Sequence, residues 1–311
     1  MSIEFIDALK NKNIEKIRRI PKTDLHNHAI LGGNLSYFEI LHGKKIDRLN
    51  NKINSIEEME SWVGKHFIPL IEGVNGFEKA IEAAFVQAKS DGVKVLQMSI
   101  DVYFRYHYNG SVDQLINVLK NIHMKFAPEI DFRPELGLNR SVSTDMLMEW
   151  FEPYMEHGYF KSIDLYGDEF AQPIKNFKKI YGLAKKKGLI LKAHVGEFGE
   201  ADSIQEAVEE LELNQVQHGI TAAKSMNIMK WLAENKIQLN ICPTSNVMLN
   251  RVQNYKEHPI KTLYRNGVKV TINTDDVIVF NQGVSEEFVN LYENDVLTAE
   301  ELDEIRKNGL K

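Results

Sequence analysis

Short runs rich in β-branched and aliphatic residues alternate along this chain with longer stretches whose apolar positions recur every three or four residues. The runs expected as strands are Thr23–His28, Val93–Val102, Asp131–Asn139, Ser162–Tyr166, Leu189–His194, Gln215–His218, Ile237–Ile241 and Val268–Asn273. In Phe77–Lys89 the residues Phe77, Ala80, Ile81, Ala84 and Phe85 fall on one helical face, and Leu115–Met124, Ile174–Lys186, Ser203–Leu211 and Ala222–Glu234 follow the same rule. Eight alternations of strand and helix predict an α/β fold of the (β/α)8 TIM-barrel type. Strands read as near-continuously apolar suit a parallel sheet covered on both faces. A doubly wound open sheet is the competitor, but it would gather its ligand at one switch point.

Two stretches stand outside the repeat. Residues 1–20 read as an amphipathic helix leading into Pro21. Residues 34–76 form a helical insertion after the first strand, with Trp62, Phe67, Ile68 and Leu70 at helical spacing. Such a stripe more often serves packing than a lid, and its place beside the first strand's end keeps the lid as the second reading. The whole of 1–311 is expected to form one domain.

Polar clusters close five of the runs: His26-Asn27-His28, Gly167-Asp168-Glu169, His194-Val195-Gly196-Glu197, His218-Gly219 and Asn273-Thr274-Asp275-Asp276. A parallel barrel gathers such strand ends at one mouth. His26 and His28 alternate along a strand, so both imidazoles point to one side. His194 adds a third imidazole, and Asp275 and Asp276 add carboxylates. Three histidines and an aspartate suit one divalent ion, Zn²⁺ first among them. Such an ion lowers the pKa of a bound water from about 15.7 to about 7. His218 then remains to orient the nucleophile or support developing charge, and Glu197 to shuttle a proton.

Composition narrows the classes. Of 311 residues 43% are hydrophobic and 26% charged, with a net charge of −6 and no long basic tract, which argues against a nucleic-acid groove. The single cysteine, Cys242, permits no internal disulfide. No apolar run reaches the roughly 18 residues of a membrane span, and a cytoplasmic location is expected.

The motifs LHNH at 25–28, DLYGDE at 164–169, HVGE at 194–197, QHG at 217–219, CPTSN at 242–246 and NTDD at 273–276 resemble, in order and spacing, those of the adenosine deaminase family. The resemblance runs from about residue 21 to 310. It implies a barrel with one zinc ion that removes the amino group from C6 of a purine by hydrolysis. By this resemblance His26, His28, His194 and Asp275 are the metal ligands. Glu197 protonates ring N1, His218 orients and deprotonates the attacking water, and Asp276 contacts N7. The backbone N–H of Gly167 meets N3, and Asp168 holds that loop. The expected partner is a small purine or purine nucleoside. The runner-up readings are another metal-dependent hydrolase of amides or esters, and a silent nucleoside-binding protein.

The chain also departs from the family. An acidic residue two positions after the second histidine holds the ribose 5′-hydroxyl in adenosine deaminases, and here that position is Ile30. Asn34 could reach in from the glycine turn, whereas Glu39 lies too far along to substitute. The arginine expected near the end of the second strand is absent, with Asp101 and Arg105 the charged residues nearby. Val277 stands where a proline commonly follows NTDD.

Overall fold

Most strand runs are buried along nearly their whole length yet mix polar with apolar residues, and that mixture decides what lies inside the barrel. The computed structural model describes residues 2–310. It contains β1 (Lys22–His28), β2 (Val93–Asp101), β3 (Asp131–Asn139), β4 (Ser162–Tyr166), β5 (Ile190–Val195), β6 (Gln215–His218), β7 (Gln238–Ile241) and β8 (Lys269–Ile272). All neighbours pair in parallel and in sequence order. With helices between the strands this is a (β/α)8 TIM barrel. Among the described residues no helix is long and apolar enough to cross a membrane.

The strands are not continuously apolar, as the sequence reading held. One set of alternate residues, including Leu96, Met98, Leu136, Leu138, Ile163 and Leu165, joins the surrounding helices in the main hydrophobic core. The other set is polar, and its members bond to one another across the strands. Buried Lys192 donates from Nζ to Glu135 Oε2 at 2.7 Å, to the Leu25 carbonyl at 3.0 Å and to Gln97 Oε1 at 2.5 Å. Glu135 also accepts from the Ser162 hydroxyl at 2.6 Å. On the other side, the Asn240 amide donates to Gln215 and Gln217 and accepts from Gln238 and Thr271. Each of these groups needs its partners, because an unpaired polar atom at this depth costs about 1–3 kcal/mol.

Closure of the barrel departs from a regular ladder. Between β8 and β1 a single bridge pairs Asn27 with Asp275, with the Asp275 N–H on the His26 carbonyl at 2.9 Å. Side chains supply the rest: Asn273 Oδ1 accepts from Leu25 N at 2.8 Å, and the Thr274 hydroxyl donates to Asp24 Oδ2 at 2.6 Å. The residues that seal the cylinder are thus the NTDD motif itself.

The expected helix over 1–20 is two helices, Ile3–Lys10 and Ile14–Arg19. Lys12 takes a left-handed φ of 51°, and the Asn13 side chain caps the second helix by accepting from Lys16 N. The insertion holds the helices Leu35–His42 and Ile56–His66 and a 3-10 turn at Ile68–Leu70, and it ends at the helix Gly73–Ser90. Further on, Ser225 caps Met226–Glu234, so the helix expected from Ala222 begins four residues later.

Lys192→Met is expected to lower stability by about 3–5 kcal/mol in urea unfolding, because it strands a buried Glu135 carboxylate. Adding Glu135→Leu to that variant should recover most of the loss. No recovery would show that the cost lies elsewhere.

Candidate active site

Strand ends bring four donor atoms together: His26 and His28 from β1, His194 from β5, and Asp275 just past β8 all lie within 4.8 Å of one another. Their rear partners set the tautomers. His26 Nδ1 lies 3.2 Å from the Asn240 carbonyl oxygen, which can only accept, so Nδ1 carries the proton. His194 Nδ1 lies 3.1 Å from Asp164 Oδ2 and is protonated for the same reason. Both Nε2 atoms therefore bear lone pairs, and they face each other at 3.0 Å. Asp275 Oδ1 lies 3.5 Å from His26 Nε2 and 3.2 Å from His28 Nε2. Such a ring of acceptors repels itself unless a cation occupies its centre, so the donor set fits a divalent ion. The electrostatics agree. Burial opposes charge on His28, yet Asp276 and Asp275 push its pKa up to about 10.

Three of the four donors, His28, His194 and Asp275, line a cavity of about 240 Å³, and no lysine or arginine lines it. Glu197, His218, Asp276 and Gly167 line the same cavity, and His26 sits behind its wall within the donor cluster. Glu197 is buried, and burial, then the charges of Asp275 and Glu169, push its carboxyl well above the usual range. Asp276 rises to about 7 through burial and the neighbouring Asp275, and its Oδ1 has no protein partner. Burial lowers His218 to about 3. Both His218 and Asp275 have left-handed backbones, with φ of 61° and 63°, a conformation that costs a non-glycine residue about 1–3 kcal/mol.

Asp168, expected to hold the loop after Gly167, accepts from Phe170 N within that turn, at 2.9 Å. The neighbour Glu169 holds a different segment, the HVGE turn, which sequence reasoning missed. Its carboxylate accepts the N–H groups of Gly196, Glu197 and Phe198, each at 2.8 Å, and of Gly199 at 3.3 Å. A side chain at Gly196 would strike Ile204 at 2.4 Å, and its φ is +72°, so the HVGE turn requires glycine there. Asp164, Asn240 and Asn246 were also missed as supports of the site. Alternation along β4 and β7 offered a signal for the first two, since each shares a face with residues already singled out.

Ile30 lines the cavity. Neither polar neighbour replaces the missing acid: Asn34 caps the helix Leu35–His42, and Glu39 pairs with Arg48 and Lys45. Asp101 does line the cavity, accepting from Tyr103 N at 2.6 Å and from the Tyr166 hydroxyl. Arg105 turns away and donates to the Gly110 carbonyl. Val277 opens a short buried helix, Val277–Phe280.

The family model described as adenosine deaminase matches residues 140–311. A Treponema pallidum protein provisionally described as an adenosine/adenine deaminase is 35% identical over 287 residues, covering 92% of this chain and 96% of its own. Two crystal structures share the fold. An adenine deaminase from Arthrobacter aurescens superposes with a TM-score of 0.80 at 20% identity, over 93% of this chain and 92% of that one. An amidohydrolase from Burkholderia ambifaria with bound Zn superposes at 0.78 and 20% identity, over 94% and 85%.

Glu169→Gln removes one of the two acceptor oxygens and turns an NH2 group toward N–H donors. Hydrogen bonds to a charged acceptor contribute about 1.5–3 kcal/mol, and a loss of that size is expected in urea unfolding. Amide exchange at residues 196–199 should accelerate more than exchange elsewhere; unchanged exchange there would sink the assignment.

Proposed function

The chain belongs to the adenosine deaminase family, hydrolases of purine amino groups, and from that premise we propose that it holds one zinc ion and deaminates an uncharged 6-aminopurine, either the free base or a nucleoside. The observation that carries this reading is a buried, protonation-prone Glu197 in the cavity that the four-donor cluster opens onto through His28, His194 and Asp275. His26, His28, His194 and Asp275 would hold the ion, and its chemistry would be to make water a nucleophile at neutral pH.

The rest is done by the chain's own residues. Attack at C6 breaks the ring's conjugation and pushes an electron pair onto N1. Glu197 delivers its proton there, so the interaction strengthens as the transition state forms. Asp276, with an open Oδ1, faces N7, and the Gly167 N–H meets N3. His218 receives an N–H from Asn246 on Nδ1, at 3.2 Å, so its own proton sits on Nε2. It acts as a donor that orients the attacking oxygen and supports its charge. The two protons of the attacking water complete the exchange: one restores the Glu197 carboxyl, the other passes to the amino group, and the C6–N bond breaks as C6 becomes a carbonyl and ammonia leaves. The insertion at 34–76 serves as a lid over a single domain of 1–311; Ile56, Met59 and Val63 of the helix Ile56–His66 wall the cavity.

Charge and polarity narrow the substrate. A phosphate dianion would enter a cavity that has no lysine or arginine in its wall and carries Asp101 and Glu60. A ribose 5′-hydroxyl set against Ile30 loses about 1–3 kcal/mol if it finds no partner.

Glu197→Ala should keep its zinc and its fold and lose about 10²–10⁴ in kcat, whereas His194→Ala should lose the metal, as read by atomic absorption. Because the acting form of Glu197 is protonated, kcat should hold at lower pH and fall as pH rises through the raised pKa. Full activity in Glu197→Ala would remove the mechanism. Across adenine, adenosine, 2′-deoxyadenosine, 5′-methylthioadenosine and AMP, zinc-loaded protein should release ammonia from at least one uncharged compound. AMP should be at least about 100-fold poorer in kcat/KM, since its dianion would be buried unpaired. Efficient turnover of AMP would overturn the charge argument.

A further inference from the structure

A buried histidine outside the cavity wall sets the proton positions within it. His258 precedes the helix Ile260–Arg265 and is 3% exposed. The Ile260 N–H donates to its Nδ1 at 3.1 Å, so that nitrogen is an acceptor and the ring proton is on Nε2. Nε2 lies 3.3 Å from Oδ1 of Asn246, a fully buried residue of the helix Pro243–Met248. The Asn246 NH2 group then faces the site, 3.2 Å from Glu197 Oε1 and 3.2 Å from His218 Nδ1.

An amide can be turned over, but here the reversed orientation sets NH2 against the His258 N–H. His258 cannot move its proton to accommodate that, because Nδ1 already receives the Ile260 N–H. Burial keeps it neutral, with a pKa lowered to about 3. One orientation of Asn246 therefore prevails, with two consequences. Glu197 Oε1 accepts, which leaves the acid's proton on Oε2, the oxygen 3.5 Å from His218 Nε2. His218 Nδ1 accepts as well, which leaves its proton on Nε2, 3.7 Å from Asp275 Oδ2.

We infer that His258 is a positioning residue that acts through Asn246 to hold Glu197 and His218 in the protonation pattern deamination requires. The inference rests on the roles proposed above for those two residues. It assigns a task to the CPTSN and His258-Pro259 segments, neither of which supplies any of the donors His26, His28, His194 and Asp275.

The test uses full-length, zinc-loaded protein. His258→Leu removes the donor, while His258→Gln returns an N–H at the place of Nε2. With adenine or adenosine, whichever is turned over faster, His258→Leu should lower kcat about 10–100-fold, the usual effect of an outer partner. KM and zinc content should stay within about twofold. His258→Gln should return to within about fivefold of the parent. Full kcat in His258→Leu, or His258→Gln as slow as His258→Leu, would overturn the inference. Nitrogen-15 spectra of labelled histidines give an answer independent of turnover: His218 should carry its proton on Nε2, and a proton on Nδ1 would overturn the proposal. Failure of the parent to release ammonia from any aminopurine would count against the deaminase reading alone, since the spectra still decide the tautomer.

Discussion

Two imidazole nitrogens face each other at 3.0 Å inside the barrel, each bearing a lone pair because its ring proton is committed behind it. Everything around them exists to hold that unfavourable pair. The Asn240 carbonyl fixes His26 from β7, and Asp164 fixes His194 from β4. The cost falls on folding in the absence of an ion and is offset on binding one, so metal affinity and fold stability become linked quantities. Rotating either ring would relieve the repulsion and destroy the site. The buried partners make that rotation expensive, because each ring would abandon a hydrogen bond that water cannot replace.

The same economy joins closure of the barrel to the chemistry. A regular ladder between β8 and β1 would leave Asp275 extended. Instead a single bridge at Asn27 and Asp275 closes the cylinder, and Asp275 takes a left-handed backbone that turns its carboxylate to the histidines. Asn273, Thr274 and Asp24 seal the remaining seam with side chains. Substitutions in this motif therefore act on stability and on the site together, and only metal content and unfolding measured side by side separate the two effects.

Much of this was legible in the chain. Apolar periodicity located all eight strands, with three sets of bounds reproduced, because strand ends coincide with polar clusters that cannot continue into a core. The His-x-His alternation and the acidic pair after β8 marked the donors for the same reason. What stayed hidden depends on contacts between residues distant in sequence. Lys192 and Glu135 look like strand noise until they meet 2.7 Å apart. Glu169 is indistinguishable from Asp168 until the HVGE turn aims its N–H groups at one carboxylate. His258 and Asn246 are twelve residues apart, and nothing in their spacing shows that one orients the other. The near-continuous apolar reading of the strands failed because burial was equated with apolarity, whereas this barrel buries a hydrogen-bonded polar layer.

Charge balance ties these observations to specificity. Beyond Asp101 and Glu60 in the cavity wall, five carboxyl groups crowd the donor set. Glu169 is neutralised by four N–H groups; Asp164 and Asp275 are held below their usual range by facing imidazoles, although burial alone would raise them. For the remaining two, Glu197 and Asp276, the partners do not offset burial and the neighbouring carboxylates, and both are driven toward their protonated forms. A site that keeps two acids near neutrality and admits no basic side chain offers donors and acceptors for a heterocycle's nitrogens, and nothing for an anion. The raised pKa of the proton donor and the exclusion of phosphate thus share one origin: burial of carboxyl groups beyond those that imidazoles and backbone amides can satisfy. A basic residue introduced to hold a phosphate near Glu197 would stabilise its carboxylate and weaken it as an acid. In this pocket, recognition of a nucleotide and protonation of the ring work against each other.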